Sequence, residues 1–336
     1  MRTHARRIPL VASTVLAALA LSSCGLAADV AGVHAPPAEN TSVAPIDADR
    51  AAAVATRVLG LAQEAEGQAD AEGDTARAAA LTGTALDLAK ARATYGTAVG
   101  GGNALTKPEA PTVLASSAGT AYPRLLLTTT LDGSTRRQYL DLFSSSAVTA
   151  PYLLENRVAM LPGATLPALG QVAVGVAQVG IDDGTGLVMS PKAALEGYAA
   201  ALNTPNPAAN DAIESGDSYA TALRAAQATQ AQALGALATY AQTHTAVPES
   251  MRVLRLADGG AVVIARLNRS DVITGGENTK ELKVPDALQK FTGAATAPKT
   301  ITINAIEAVA VLVPAEGKGK VALLGVTEQL VGGSVS

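Results

Sequence analysis

The chain has 336 residues, 48% of them apolar and 16% charged, with a formal charge of −4, one cysteine, two phenylalanines and no tryptophan. At roughly 100–200 residues per domain this is enough for about two cores, which Ala and Val must largely supply. A highly charged disordered chain, a disulfide scaffold and, with a single uninterrupted apolar run near the N terminus, a polytopic membrane protein are excluded.

Residues 1–23 read as an export signal. Arg2, Arg6 and Arg7 precede an apolar run from Ile8 to Leu21, about 14 residues long and short of the roughly 18–20 needed to span a bilayer. The segment Leu21-Ser22-Ser23-Cys24 resembles a lipobox, in which bacterial lipoproteins are cleaved before an acylated cysteine. Cys24 is the chain's only thiol, so it has no partner for a disulfide or a thiolate metal site. The resemblance implies lipidation at Cys24 and attachment to the extracytoplasmic face of the cell membrane, since two or more acyl chains anchor stably. Cleavage there removes three arginines and no acid, moving the formal charge from −4 to −7. A mildly acidic chain without clustered Lys or Arg has no electrostatic footprint for nucleic acid.

Residues 24–46 are small, polar and proline-bearing, and read as a flexible tether in which His34 is a solvent residue. Asp47 to Tyr95 predicts two helices broken near Gly67 to Gly73. Gly96 to Thr120 reads as a long loop; its glycines lack the flanking strand, helix and Lys-Ser/Thr pair of a phosphate cradle. From Tyr122 to Leu161, β-favouring runs around the turn Asp132-Gly133 predict a three-stranded antiparallel meander. Asp182-Asp183-Gly184-Thr185-Gly186 matches neither a calcium loop nor an acid-protease motif and reads as a surface turn.

The pattern then restarts. Ser190-Pro191 marks a helix N terminus, Asp217 to His244 reads as one long Ala-rich helix, and two hairpins follow. One turns at Asp258-Gly259-Gly260; the other joins Thr300–Val313 to Lys320–Val331 around Pro314 to Gly319. Helices followed by runs of strand argue for α+β architecture, used twice: residues 47–180 and 190–336. This order resembles the nuclear transport factor 2-like fold, implying two tandem cone-like units in which helices pack against a curved antiparallel sheet. More narrowly, Tyr122-Pro123-Arg124, Met160-Leu161-Pro162-Gly163, Ser190-Pro191 and Leu256-Ala257-Asp258-Gly259-Gly260 resemble a family of uncharacterised actinobacterial lipoproteins, which implies a fold and a compartment but no activity.

Motifs for nucleophilic hydrolysis are missing. Past the signal only two histidines remain, and His244 is expected to cap the long helix at its C terminus, where the dipole favours an imidazolium. Asp141 and Glu155 fall on neighbouring strands as the one candidate carboxylate pair. Catalytic relatives of the cone fold pair an Asp with a His in the cavity, and here no His falls on a predicted strand. The expectation is therefore no catalytic residue, no metal site and no cofactor. The sequence predicts a non-catalytic binding or scaffolding lipoprotein that meets a protein or a small apolar ligand. The alternative is a cryptic cone-fold hydrolase, lyase or isomerase.

Overall fold

A computed structural model of the chain describes residues 44–66, 68, 71–96, 110–133 and 135–336. The export signal, Cys24, most of the tether and His34 lie outside the described residues. Three helices come first: α1 (Ala48–Glu66), α2 (Ala71–Ala80) and α3 (Gly83–Tyr95). The expected break falls between α1 and α2, and a further one at Thr82 makes three helices where two were expected. On α1 the buried positions Ala51, Ala55, Val58, Leu59, Ala62 and Ala65 recur at helical spacing, a stripe of small side chains that lets the helix lie close to the sheet beneath.

That sheet runs in the order β1 (Thr112–Ser116), β2 (Arg124–Leu131), β3 (Gln138–Ser145), β4 (Leu153–Ala159), antiparallel throughout. The meander is as expected, and β1 is an addition: the segment read as loop contains a strand that pairs with β2, Thr112 opposite Thr129. Successive residues of β2 point to opposite faces. Leu126 joins Phe143 and Leu154 beneath α1–α3, whereas Leu125 and Leu127 join Leu140 and Leu142 on the other side.

The second half supplies α4 (Pro191–Leu202), α5 (Ser218–Leu234), β5 (Ala238–Arg255), β6 (Ala261–Gly275), the short β7 (Leu282–Lys283), α6 (Asp286–Thr292), the short β8 (Thr296–Ala297), β9 (Thr300–Val313) and β10 (Ala322–Val335). Ser190 caps α4 as expected, its hydroxyl accepting from the Ala193 N–H at 3.3 Å, and Asp217 caps α5, accepting from Ala220 at 2.9 Å. The four long strands form a second antiparallel sheet, ordered β10-β9-β6-β5.

The fold is thus α+β, with two four-stranded antiparallel sheets. One face of the second sheet packs on the first sheet, with Leu254, Val262, Ile264, Ala308 and Leu324 meeting Leu125, Leu127, Leu140, Leu142 and Val158. Fully burying each Leu, Ile or Val of this layer is worth about 1.5–3 kcal/mol. The sheets also meet edge to edge: Met160 pairs with Gly325, and the Leu161 N–H donates to Leu324 O at 2.9 Å. A Cβ on Gly325 would lie 2.5 Å from Ala159 O, so only glycine fits this crossing. The opposite face of the second sheet is covered by α4, α5 and α6. No helix among the described residues is long and apolar enough to cross a membrane.

Candidate functional site

The helix-covered face of the second sheet changes character along its length. At one end Val263, Ala265, Leu267, Val309, Val311 and Val313 form an apolar core with Leu195, Tyr198 and Leu202 of α4. At the other, Ile273, Ile301, Ile303 and Leu330 pack with Leu288 and Phe291 of α6. Between them the sheet carries charge, one residue from each strand: His244 of β5, Arg269 of β6, Glu307 of β9 and Glu328 of β10.

The strand register brings these groups together. His244 stands opposite Arg269, and Glu307 stands opposite Glu328. Like charges directly across a ladder repel, and Arg269 offsets the repulsion. Its Nη1 donates to Glu328 Oε2 at 2.7 Å and to Glu307 Oε1 at 3.2 Å, while Nε lies 3.3 Å from Asp271 Oδ2. Tyr219, in the first turn of α5, donates to Glu307 Oε1 at 2.7 Å and approaches Glu328 Oε2 at 3.2 Å. Beside it, Asp271 Oδ1 accepts from Tyr240 Oη at 3.1 Å and from Gln242 Nε2, and Gln242 Oε1 accepts from Gln227 of α5 at 2.6 Å.

Burial and charge set the protonation of this network. Burial alone pushes the Glu307 carboxyl up, but His244, Arg269 and Tyr219 outweigh it and hold the group below its ordinary value. Burial opposes the Arg269 guanidinium, and the carboxylates of Asp271, Glu307 and Glu328 outweigh it, holding Arg269 well above its usual range. The phenols of Tyr219 and Tyr240 are pushed up, first by burial and then by the neighbouring carboxylates, so both remain hydrogen-bond donors. Behind the network, His244 Nε2 lies 3.2 Å from Glu307 Oε1, both side chains fully buried. The contact is out of line for a hydrogen bond, and His244 Nδ1 and Glu307 Oε2 have no hydrogen-bond partner among the described residues.

In front of the network a cavity of about 530 Å³ opens between the sheet and helices α5 and α6, within the roughly 300–1,000 Å³ usual for small-molecule sites. Its floor is Tyr219, Tyr240, Gln242, Arg269, Asp271 and Glu328, and its walls include Leu223, Ile273, Leu288, Ile301, Ile303 and Leu330. Tyr219 and Glu328 also border a second cavity, of about 620 Å³, that reaches Arg136 and Arg137 in the β2–β3 turn.

Sequence reading assigned His244 differently. It does not cap a helix: α5 ends at Leu234, where Gly235 turns the chain with a positive φ of 53°, and His244 lies inside β5. The expectation that no histidine falls on a strand is corrected with it. Asp141 and Glu155 are on adjacent strands, as expected, but have separate partners. Asp141 is buried against Thr130 and Arg157, and burial raises its carboxyl despite both. Glu155 pairs with Arg252 of the second sheet at 2.6 Å. Asp183 sits in an exposed turn, its carboxylate accepting from the Thr185 N–H at 2.9 Å, as the surface-turn reading expected. Among the described residues no group of three or more His, Cys, Asp or Glu is arranged to hold a metal ion.

A family model described as a domain of unknown function, DUF8094, matches residues 50–334. The chain belongs to that family. The DUF8094 match takes in both sheets and all the charged groups of the cavity floor. No curated protein and no solved structure matched the chain.

Proposed function

We propose that this DUF8094 protein is a lipid-anchored, extracytoplasmic binding protein that holds a small amphipathic molecule in the cavity beneath α5. In this reading each half, a sheet with its helices, is one cone-like unit, and the cavity is the mouth of the second. The observation that carries the reading is a cavity with apolar walls over a floor of convergent polar groups. The lipobox-like segment ending at Cys24 supports attachment at the extracytoplasmic face.

A binding role fits the floor better than a catalytic one. A general base must be free to take a proton from the reacting group. The carboxylates that line the cavity, Asp271 and Glu328, are both ion-paired with Arg269, Glu307 lies behind them, and His244 does not line the cavity. The enzyme reading rests on the buried contact of His244 with Glu307, one side chain removed from the cavity through Tyr219.

The test is calorimetric titration of the full chain carrying Cys24→Ser with 1-octanol, beside the variant Ala226→Trp. Ala226 is an exposed lining residue on α5, so an indole there obstructs the cavity without entering a core. Saturable binding that Ala226→Trp abolishes with an unchanged Tm is expected. Absence of binding, or equal binding by the variant, overturns the reading. Loss of a cellular function in His244→Ala with octanol binding and Tm intact would instead support the enzyme.

A further inference from the structure

The cavity floor is not electrically neutral. Three carboxylates, Asp271, Glu307 and Glu328, share one guanidinium, that of Arg269, and among the described residues the charged side chains lining the cavity are Arg269, Asp271 and Glu328. Arg269 donates through Nη1 to Glu307 and Glu328 and faces Asp271 with Nε, and its side chain is 8% exposed. An anionic head group entering the cavity would have to compete for that guanidinium against three fixed carboxylates. Glu328 is different: its side chain is 27% exposed, and both of its contacts, to Arg269 and Tyr219, use Oε2. Its Oε1 takes part in neither contact.

We propose that the cavity selects an apolar amine: a molecule whose ammonium group is received by the Glu328 carboxylate, with Asp271 adding attraction, and whose hydrocarbon body lies against Leu223, Ile301, Ile303 and Leu330. This rests on the binding reading above and names its ligand class. Charge-assisted N–H···O bonds to a carboxylate are about twice as strong as neutral ones, and in a part-buried site the effective dielectric strengthens them further. The apolar walls supply affinity for any chain of suitable size, and the floor supplies the sign of the head group.

Three ligands of equal chain length separate these contributions: octylamine, 1-octanol and octanoate, each titrated calorimetrically below its micellar concentration against the full chain carrying Cys24→Ser, at pH 7 and 0.15 M salt. The expected order is octylamine tightest, then octanol, then octanoate, with the amine at least tenfold tighter than the carboxylate. Glu328→Gln, and separately Asp271→Asn, should reduce the ratio of amine to octanol affinity severalfold. Two variants are used so that misfolding of one, seen in its Tm, leaves the other to decide. Octanol binding without an amine preference, or a preference neither variant reduces, refutes the cation assignment and leaves the binding reading intact. If none of the three binds, the binding reading itself fails.

Discussion

Arg269→Met removes the one guanidinium that three acids share. In the native protein Arg269 lies 2.7 Å from Glu328, 3.2 Å from Glu307 and 3.3 Å from Asp271. The variant keeps most of the side-chain volume but leaves Glu307, which is fully buried, directly opposite Glu328. Breaking a buried pair by deleting one partner costs about 3–5 kcal/mol. Glu328 and Asp271 keep some solvent, which discounts their share, so about 3 kcal/mol is expected at pH 7. The pH dependence has a definite sign. The native Glu307 carboxyl is held below its ordinary value, so its contribution is present above the unfolded pKa of about 4.3 and fades as pH falls through the native value. In Arg269→Met one of the contacts that lower Glu307 is lost, its carboxyl rises, and that variant recovers stability as the group protonates. The gap between the two proteins should therefore narrow from pH 7 to pH 4.5. Urea unfolding followed by far-ultraviolet circular dichroism at both values measures it. A deficit below about 1 kcal/mol at pH 7, or one of equal size at pH 4.5, would refute this account of the network.

His244→Ala deletes a fully buried ring and a neighbour of Glu307. It should cost about 2–4 kcal/mol, against the roughly 0.3–1 kcal/mol of a helix C-terminal cation, and the same urea assay distinguishes the two. Gly325→Ala drives a Cβ to 2.5 Å from Ala159 O at the crossing of β4 and β10. A loss of about 1–3 kcal/mol is expected, and an unchanged Tm would mean that the edge-to-edge seam is loose. For the anchor, detergent-phase separation should move the protein to the aqueous phase in Cys24→Ala, and a wild-type protein already found there would sink the lipidation proposal.

The sequence was most legible where strands alternate apolar and polar residues or cluster both kinds of β-former. Leu125–Leu127, Ala261–Leu267 and Thr300–Val313 announce themselves in this way, and so do the caps Ser190 and Asp217, whose side chains accept the bonds expected of them. The candidate site was hidden for the opposite reason. In the first half of β5 the residues turned toward α5 include Tyr240, Gln242 and His244, while Thr239, Thr243 and Thr245 face out. Polar side chains on both faces erase the hydrophobic period of two, so by pattern alone the preceding Ala-rich helix runs on to His244. One signal was available. Glu307 is the only charged residue between Lys299 and Glu316, set among Ile, Ala and Val. A lone acid in such a run is almost never buried unless paired, and it marks the centre of the floor. The loop containing β1 was illegible because Thr112–Ser116 is a short edge strand whose partners, β2 and the distant Val176, are non-local.

The layer between the two sheets bears on how the chain is made. Leu125, Leu127, Leu140, Leu142 and Val158 lie within a sheet that is complete by Ala159, yet apart from Leu88, Leu169 and Val176 the buried residues that pack on that face run from Leu254 to Leu324. Chains are made from the N terminus at about 5–20 residues per second, so roughly 160 residues of further synthesis separate the two events, an interval of about 8–30 s. During that interval an assembled first sheet would present a leucine-rich face with only Leu88, Leu169 and Val176 against it, the kind of surface on which nascent chains associate with one another. Ribosome-bound fragments ending near residue 200 should therefore bind holdase chaperones and sediment as aggregates when released, whereas fragments extending beyond β10 should not.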